Sequence, residues 1–125
     1  MQSIEQAETI GKQFVQHFYQ VFKTDRANLG RLYHTESVLN WEQKRFVGQQ
    51  NIGQHLASLP FGSIDFKFTT VDCQPTAASG VLVFVTGQLI TEGETRALNF
   101  SQVFLLINVN NAWLLSNDMF RLNIT

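Results

Sequence analysis

The stretch Ile64-Asp65-Phe66-Lys67-Phe68-Thr69 decides the fold. Apolar and polar residues alternate through it. Ile64, Phe66 and Phe68 fall on one side and Asp65, Lys67 and Thr69 on the other, as in a strand with one buried face. Just upstream, Pro60 stops a segment of a different period. The change at this point, from a helical repeat of about 3.6 to strand alternation, divides the chain into a helical first half and an extended second half.

Working back from Pro60, a helix fits Gly48 to Leu59, with Ile52, Leu56 and Leu59 on one side. Val38 to Trp41 reads as a short strand. Asp25 is a suitable N-cap for a short helix carrying Leu29, Leu32 and Tyr33. Ser3 with Gln6 is a capping box, and it opens a long helix. Ala7, Ile10, Phe14, Phe18 and Val21 recur along that helix at helical spacing, with Val15 and Phe22 widening the stripe. Forward of Thr69, residues Gln74 to Gly80 make a turn into a strand from Val81 to Ile90. The hairpin loop Thr91-Glu92-Gly93-Glu94 follows, then a strand from Thr95 to Ile107, a turn at Asn108 to Asn111, and a last strand from Trp113 to about Arg121. Helices first and strands afterwards mean α+β. Long consecutive strands joined by hairpins mean an antiparallel, twisted sheet with helices on one face. There is no repeat and no linker, so residues 1–125 read as one domain.

Two segments, Val81-Leu-Val-Phe-Val85 and Val103-Phe-Leu-Leu-Ile107, are apolar on both faces. Helices cover only one face of a sheet. A second copy of the chain is the expected cover for the other, with Phe84, Phe104 and Met119 as its contacts. The alternative is that the sheet's own curvature hides them.

Composition limits function. The 125 residues carry 9 Lys plus Arg against 10 Asp plus Glu, a net charge of −1, which argues against nucleic acid or an anionic membrane as partner. Charged residues make up 15% and hydrophobic residues 44%, including 11 Phe, so the chain is well cored and not disordered. The single cysteine, Cys73, cannot form an intrachain disulfide, and the N-terminus lacks the basic start and apolar run of a signal peptide, so the expected home is cytosolic or nuclear. The sequons Asn99-Phe-Ser and Asn123-Ile-Thr are then chance matches.

Catalytic signatures are weak. Gly48-x-x-x-x-Gly53 continues as Gln54-His55, so it lacks the Lys-Ser/Thr of a phosphate-binding loop. His17, His34 and His55 are isolated from second ligands, and no metal site is expected. An enzyme built on such a fold needs a carboxylate or histidine base pointing into an apolar pocket. Tyr19, Tyr33, Asp25 and Asp118 are the candidates, each with a structural explanation of its own. What remains suits binding. Trp41 precedes Glu42 at a strand end, Phe61 follows Pro60 at the start of a new segment, and Glu92 and Glu94 occupy a hairpin tip. An apolar pocket ringed by acids accepts a partner's aromatic side chain flanked by lysines or arginines.

These residues resemble the nuclear transport factor 2 family of small homodimeric carriers that import GDP-bound Ran. The likeness runs nearly end to end. It covers Ile10-Gly11, Phe14-Val-Gln-His-Phe-Tyr-Gln-Val-Phe22, Asp25-Arg26, Trp41-Glu42, Ser58-Leu-Pro-Phe61, Gln74-Pro-Thr76, Gly87-Gln-Leu89, and Ala112-Trp113 through Asn117-Asp-Met-Phe-Arg-Leu122. The resemblance implies a cone-like bent antiparallel sheet around a long N-terminal helix, with two further short helices. It also implies that a phenylalanine from Ran's switch region enters a mouth lined by Trp41, Leu59, Phe61, Ile64, Leu89, Leu98 and Phe120. Glu42, Glu92 and Glu94 would pair with basic residues of Ran. The last two stand where the family usually has Asp, and Lys23 stands where animal members carry an acid. Ala7 replaces a tryptophan through which animal members hold Phe-x-Phe-Gly repeats of nucleoporins, and it is carried over as the nucleoporin position. The implied protein binds no nucleotide or other cofactor. It is not an enzyme, and it works in cytoplasm and nucleus with enrichment at the pore. The alternatives are a same-fold adaptor subunit for export that pairs with another protein, and a small-molecule isomerase or dehydratase.

Overall fold

Ser3 opens the first element as its sequence dictates. Its Oγ accepts from the Gln6 N–H at 3.1 Å while Gln6 Oε1 accepts from the Ser3 N–H at 3.0 Å, closing the capping box of α1, Ile4–Thr24. The computed structural model describes residues 1–123, so the last two residues of the second sequon lie outside it. Ala7, Phe14, Val15, Phe18, Tyr19 and Phe22 of α1 are buried, and Ile10 and Val21 pack at the margin. Gly11 lets this helix approach the sheet closely, because a Cβ there would collide with Cys73 Sγ.

After α1 comes a 3₁₀ segment, Arg26–Leu32, then β1 (Tyr33–Trp41), β2 (Lys44–Val47), α2 (Gln49–Ala57), β3 (Ile64–Pro75), β4 (Val81–Thr91), β5 (Leu98–Val109) and β6 (Ala112–Leu122). Two local expectations change. The Asp25 carboxylate makes no cap bond to the 3₁₀ backbone and instead accepts from Asn28 Nδ2, and Tyr33 begins β1. The short edge strand β2 has no clear sequence signal, because Glu42-Gln43 lacks the Gly or Asn that marks a tight hairpin. Glu42 nonetheless adopts a positive φ of 58°.

The six strands form one sheet in the order β2-β1-β6-β5-β4-β3. Neighbours are antiparallel except β1 and β6, which run parallel, so the sheet is mixed rather than wholly antiparallel. That pair joins segments too distant in the chain for hairpin reasoning to find. Register shifts at Phe68/Thr70 and Leu105/Leu106 bend the strands, and α1 lies in the concavity they make.

The two-faced strands divide cleanly. Val81, Val83 and Val85 point into the core, whereas Leu82 and Phe84 point out and stay 39% and 41% exposed. On β6, Met119 is 50% exposed. Phe84 pairs in register with Val103, and Val103 with Met119, giving one apolar row across the outer face. Phe104 does not belong to that row. It is fully buried, with its ring 4.9 Å from Phe18 and 6.2 Å from Phe14. Alternation along β5 turns Phe104 inward and Val103 outward, which corrects the assignment of Phe104 to an interface between copies.

Candidate functional site

The parallel β1–β6 register sets Trp41 beside Phe120. Their rings stack with centroids 4.2 Å apart and planes 10° apart. Phe22, from the last turns of α1, continues the stack 6.2 Å from Trp41, and Phe61 follows 6.5 Å from Phe22. Behind Trp41, the His55 imidazole lies edge-on at 5.5 Å and stacks on Phe46 at 4.0 Å. Burial, with help from Lys44, pushes the His55 pKa down. The indole therefore has an aromatic neighbour on each side and little freedom to rotate.

These rings wall a cavity of about 300 Å³ between α1, the α2–β3 loop and the inner face of the sheet. Trp41, Glu42, Leu59, Phe61, Ile64, Leu89, Leu98 and Phe120 all line it. Glu92 and Glu94 do not. They stand exposed on the β4–β5 turn, one step beyond the lining residue Thr91. The Glu92 N–H donates to the Ser63 carbonyl at 2.9 Å, which ties this turn to the lip of the cavity. Tyr19, considered from sequence only as a catalytic candidate, also lines it, and sequence reasoning missed Phe22, Phe66 and Gln102 as lining. Helical spacing marked Phe22 only as core, since a stripe has the same period whether it faces side chains or a void.

The floor is polar and closed. The Tyr19 hydroxyl donates to Gln102 Oε1 at 2.5 Å, Gln102 Nε2 donates to Asp118 Oδ1 at 2.8 Å, and the Tyr33 hydroxyl donates to Asp118 Oδ2 at 2.6 Å. All four side chains are buried. Burial raises the Asp118 pKa to about 7, against the pull of the bonds from Tyr33 and Gln102. Burial and the Asp118 charge raise both tyrosines well above their ordinary value. Asp118 is not among the lining residues and stands behind Gln102 with both oxygens occupied, so it does not present a base to the cavity. Asp25, the other acid considered for catalysis, is exposed and bonded to Asn28.

Ala7 is fully buried in the α1–sheet core, so its methyl is not available to a nucleoporin, and that assignment is corrected. Beside α1 lies a groove of mixed polarity, where Val71, Cys73, Leu82 and Phe84 meet Glu8, Lys12, Asp72 and Gln74.

Comparison with known proteins agrees with this architecture from end to end. The nuclear transport factor 2 domain family matches residues 10–122. The nuclear transport factor 2 of Dictyostelium discoideum is 43% identical over 124 residues, covering 98% of each chain. That of Saccharomyces cerevisiae is 43% identical over 116 residues, covering 92% of this chain and 93% of its own. The solved structure of nuclear transport factor 2 from Cryptosporidium parvum superposes with a TM-score of 0.90 at 48% identity, over 94% of this chain and 95% of that one. With fold and sequence aligned over nearly its whole length, the chain belongs to the nuclear transport factor 2 family.

Proposed function

We propose that this protein is a homodimeric, non-enzymatic carrier that binds Ran in its GDP form and takes it through nuclear pores. The observation that carries the reading is the mouth itself. It is an aromatic-walled apolar cavity with Glu42 in its lining and Glu92 and Glu94 on the adjoining turn. Such a mouth suits an aromatic side chain presented between basic residues: the apolar walls supply burial, and the acids steer and orient the partner. The resemblance supplies the candidate, a phenylalanine of Ran's switch region. Selectivity for GDP would arise because loss of the γ-phosphate reshapes that loop. The outer row of Phe84, Val103 and Met119 supports self-association, since exposed apolar residues in register across three strands call for a cover. The groove beside that row, where Leu82 meets Glu8 and Lys12 of α1, is the surface we assign to Phe-Gly repeats in place of Ala7. Residence in cytoplasm and nucleus, with enrichment at the pore, follows from this role.

Calorimetric titration with Ran loaded separately with GDP and with a non-hydrolysable GTP analogue tests the reading. Binding to the GDP form alone is expected. Binding to neither form, or equally to both, would overturn it.

A further inference from the structure

Arg26 sits at the start of the 3₁₀ segment, outside the cavity lining, yet its guanidinium reaches across to the loop that forms the cavity's lip. Nη2 donates to the Phe61 carbonyl at 2.6 Å and to the Gly62 carbonyl at 3.0 Å. The same planar group lies 4.5 Å from the centroid of the Phe61 ring and 5.6 Å from that of Phe22. Nη1 is shielded from water with no acceptor. A surface arginine keeps its donors solvated, whereas this one gives up solvation to stay over the rings. Glu92 is laid against the next residue of the lip, since a Cβ on Gly62 would collide with its Oε2.

We propose that Arg26 is the positioning residue of the cavity mouth: it fixes the Phe61–Gly62 lip, and through the lip both the Phe61 ring and the seat of the Glu92 carboxylate. The task suits a guanidinium. Its Nη2 caps two successive carbonyls while its flat face lies over the Phe61 ring, and a compact, strongly hydrated ammonium has no such face. Arg26→Lys is therefore the informative variant, because it keeps the charge and much of the aliphatic stem and loses the planar group that stacks while it donates.

Two readouts decide the proposal. In the free protein, exchange of the Glu92 amide, which donates to the Ser63 carbonyl of the lip, should accelerate in Arg26→Lys while the amides within β4 and β5 stay as in the wild type. In titration with GDP-loaded Ran, an arm that rests on the carrier reading above, the variant should bind about tenfold more weakly. Combined with Phe61→Ala the loss should fall well short of the product of the two single losses, because only the share carried by the Glu92 seat remains, while combined with Glu42→Gln, on another part of the rim, the losses should multiply. A residue that merely stabilised the fold would show no such selective coupling. Unchanged exchange at the Glu92 amide, or a loss that multiplies in full with that of Phe61→Ala, would overturn the assignment. Should the wild type not bind Ran at all, the carrier reading falls, and the exchange result alone upholds or overturns the role of Arg26.

Discussion

The carboxylate of Glu42 accepts a hydrogen bond from the backbone N–H of Leu122 at 2.5 Å, so an acid of the rim also fastens the end of the β1–β6 pair. Charge and structure are thus combined in one side chain, and substitutions separate them. Glu42→Gln keeps an acceptor for Leu122 and should stay within about 1 kcal/mol of wild-type stability. It should weaken binding of GDP-loaded Ran, by a margin that shrinks as salt is added. Glu42→Lys loses the acceptor and reverses the charge, so both melting temperature and affinity should fall. Wild-type affinity of Glu42→Gln at low salt would remove Glu42 from the contact surface.

Trp41 is the anchor of the wall, stacked on Phe120 and flanked by Phe22 and His55. Trp41→Ala should cost roughly 2 kcal/mol or more of binding free energy, the usual scale for a buried aromatic anchor. Because the indole is also packed, Trp41→Phe serves as the control. It keeps a stacking ring against Phe120 and should retain most of the stability while still losing affinity. Calorimetry beside thermal unfolding checks both, and an affinity loss that only tracks unfolding would count against an anchor role.

Asp118 makes stability depend on pH. Its folded pKa of about 7 lies above the ordinary 3.8, so the folded state holds the proton more tightly than the unfolded chain does. The stabilisation from that proton is complete below the ordinary value and is lost as pH rises through about 7. The difference in pKa corresponds to an effect of order 4 kcal/mol by linkage. Asp118→Asn removes the titration. With the Gln102 amide flipped, the amide introduced at position 118 would donate to Gln102 and Gln102 would donate to the Tyr19 hydroxyl, whose own hydrogen gives up its acceptor at a cost that does not change with pH. The stability of the variant relative to wild type should therefore rise from pH 5 to pH 8, a comparison in which the opposing titration of His55 cancels. A constant difference across that range in chemical denaturation would refute the account.

Much of this is legible in the sequence, and what is not has common causes. Local signals read well: the Ser3–Gln6 box, the α1 stripe and the alternation at Ile64 to Phe68 each depend only on near neighbours. Phe104 is misplaced by sequence because Val103 to Ile107 is apolar throughout, and alternation cannot assign faces when both residue sets are hydrophobic. The β1–β6 pairing and the Tyr19–Gln102–Asp118–Tyr33 chain join residues as far as 85 positions apart, beyond any local period. Of the site, Trp41 and Phe61 are marked by their place at the ends of segments, and Phe120 follows from the family resemblance. The helical contribution of Phe22 and the clamp by Arg26 require coordinates.

The outer face should hold two copies together. Met119 lies on that face in register with Val103, and Val103 with Phe84. Met119→Arg places an unpaired charge at one end of the row and should convert a dimer to a monomer in sedimentation, with an unchanged circular dichroism spectrum. A wild-type chain that sediments as a monomer would instead favour the adaptor reading, in which a different protein covers this face.

Gly62 provides a test of the rim that leaves the wall alone. Its backbone is outside the left-handed region, so alanine is tolerated conformationally, but the new Cβ would collide with Glu92 Oε2. What it meets is the tip of a flexible, exposed side chain, which can swing into solvent without strain in the core. Gly62→Ala should therefore change the melting temperature by no more than about 2 °C while moving the Glu92 carboxylate off its seat. If that seat aims Glu92 at a basic residue of Ran, affinity should fall several-fold, to the level of Glu92→Gln, and the double variant should lose nothing more. Equal affinity of Gly62→Ala and wild type would mean that the carboxylate acts by its charge at a distance, with its position against the lip irrelevant to recognition.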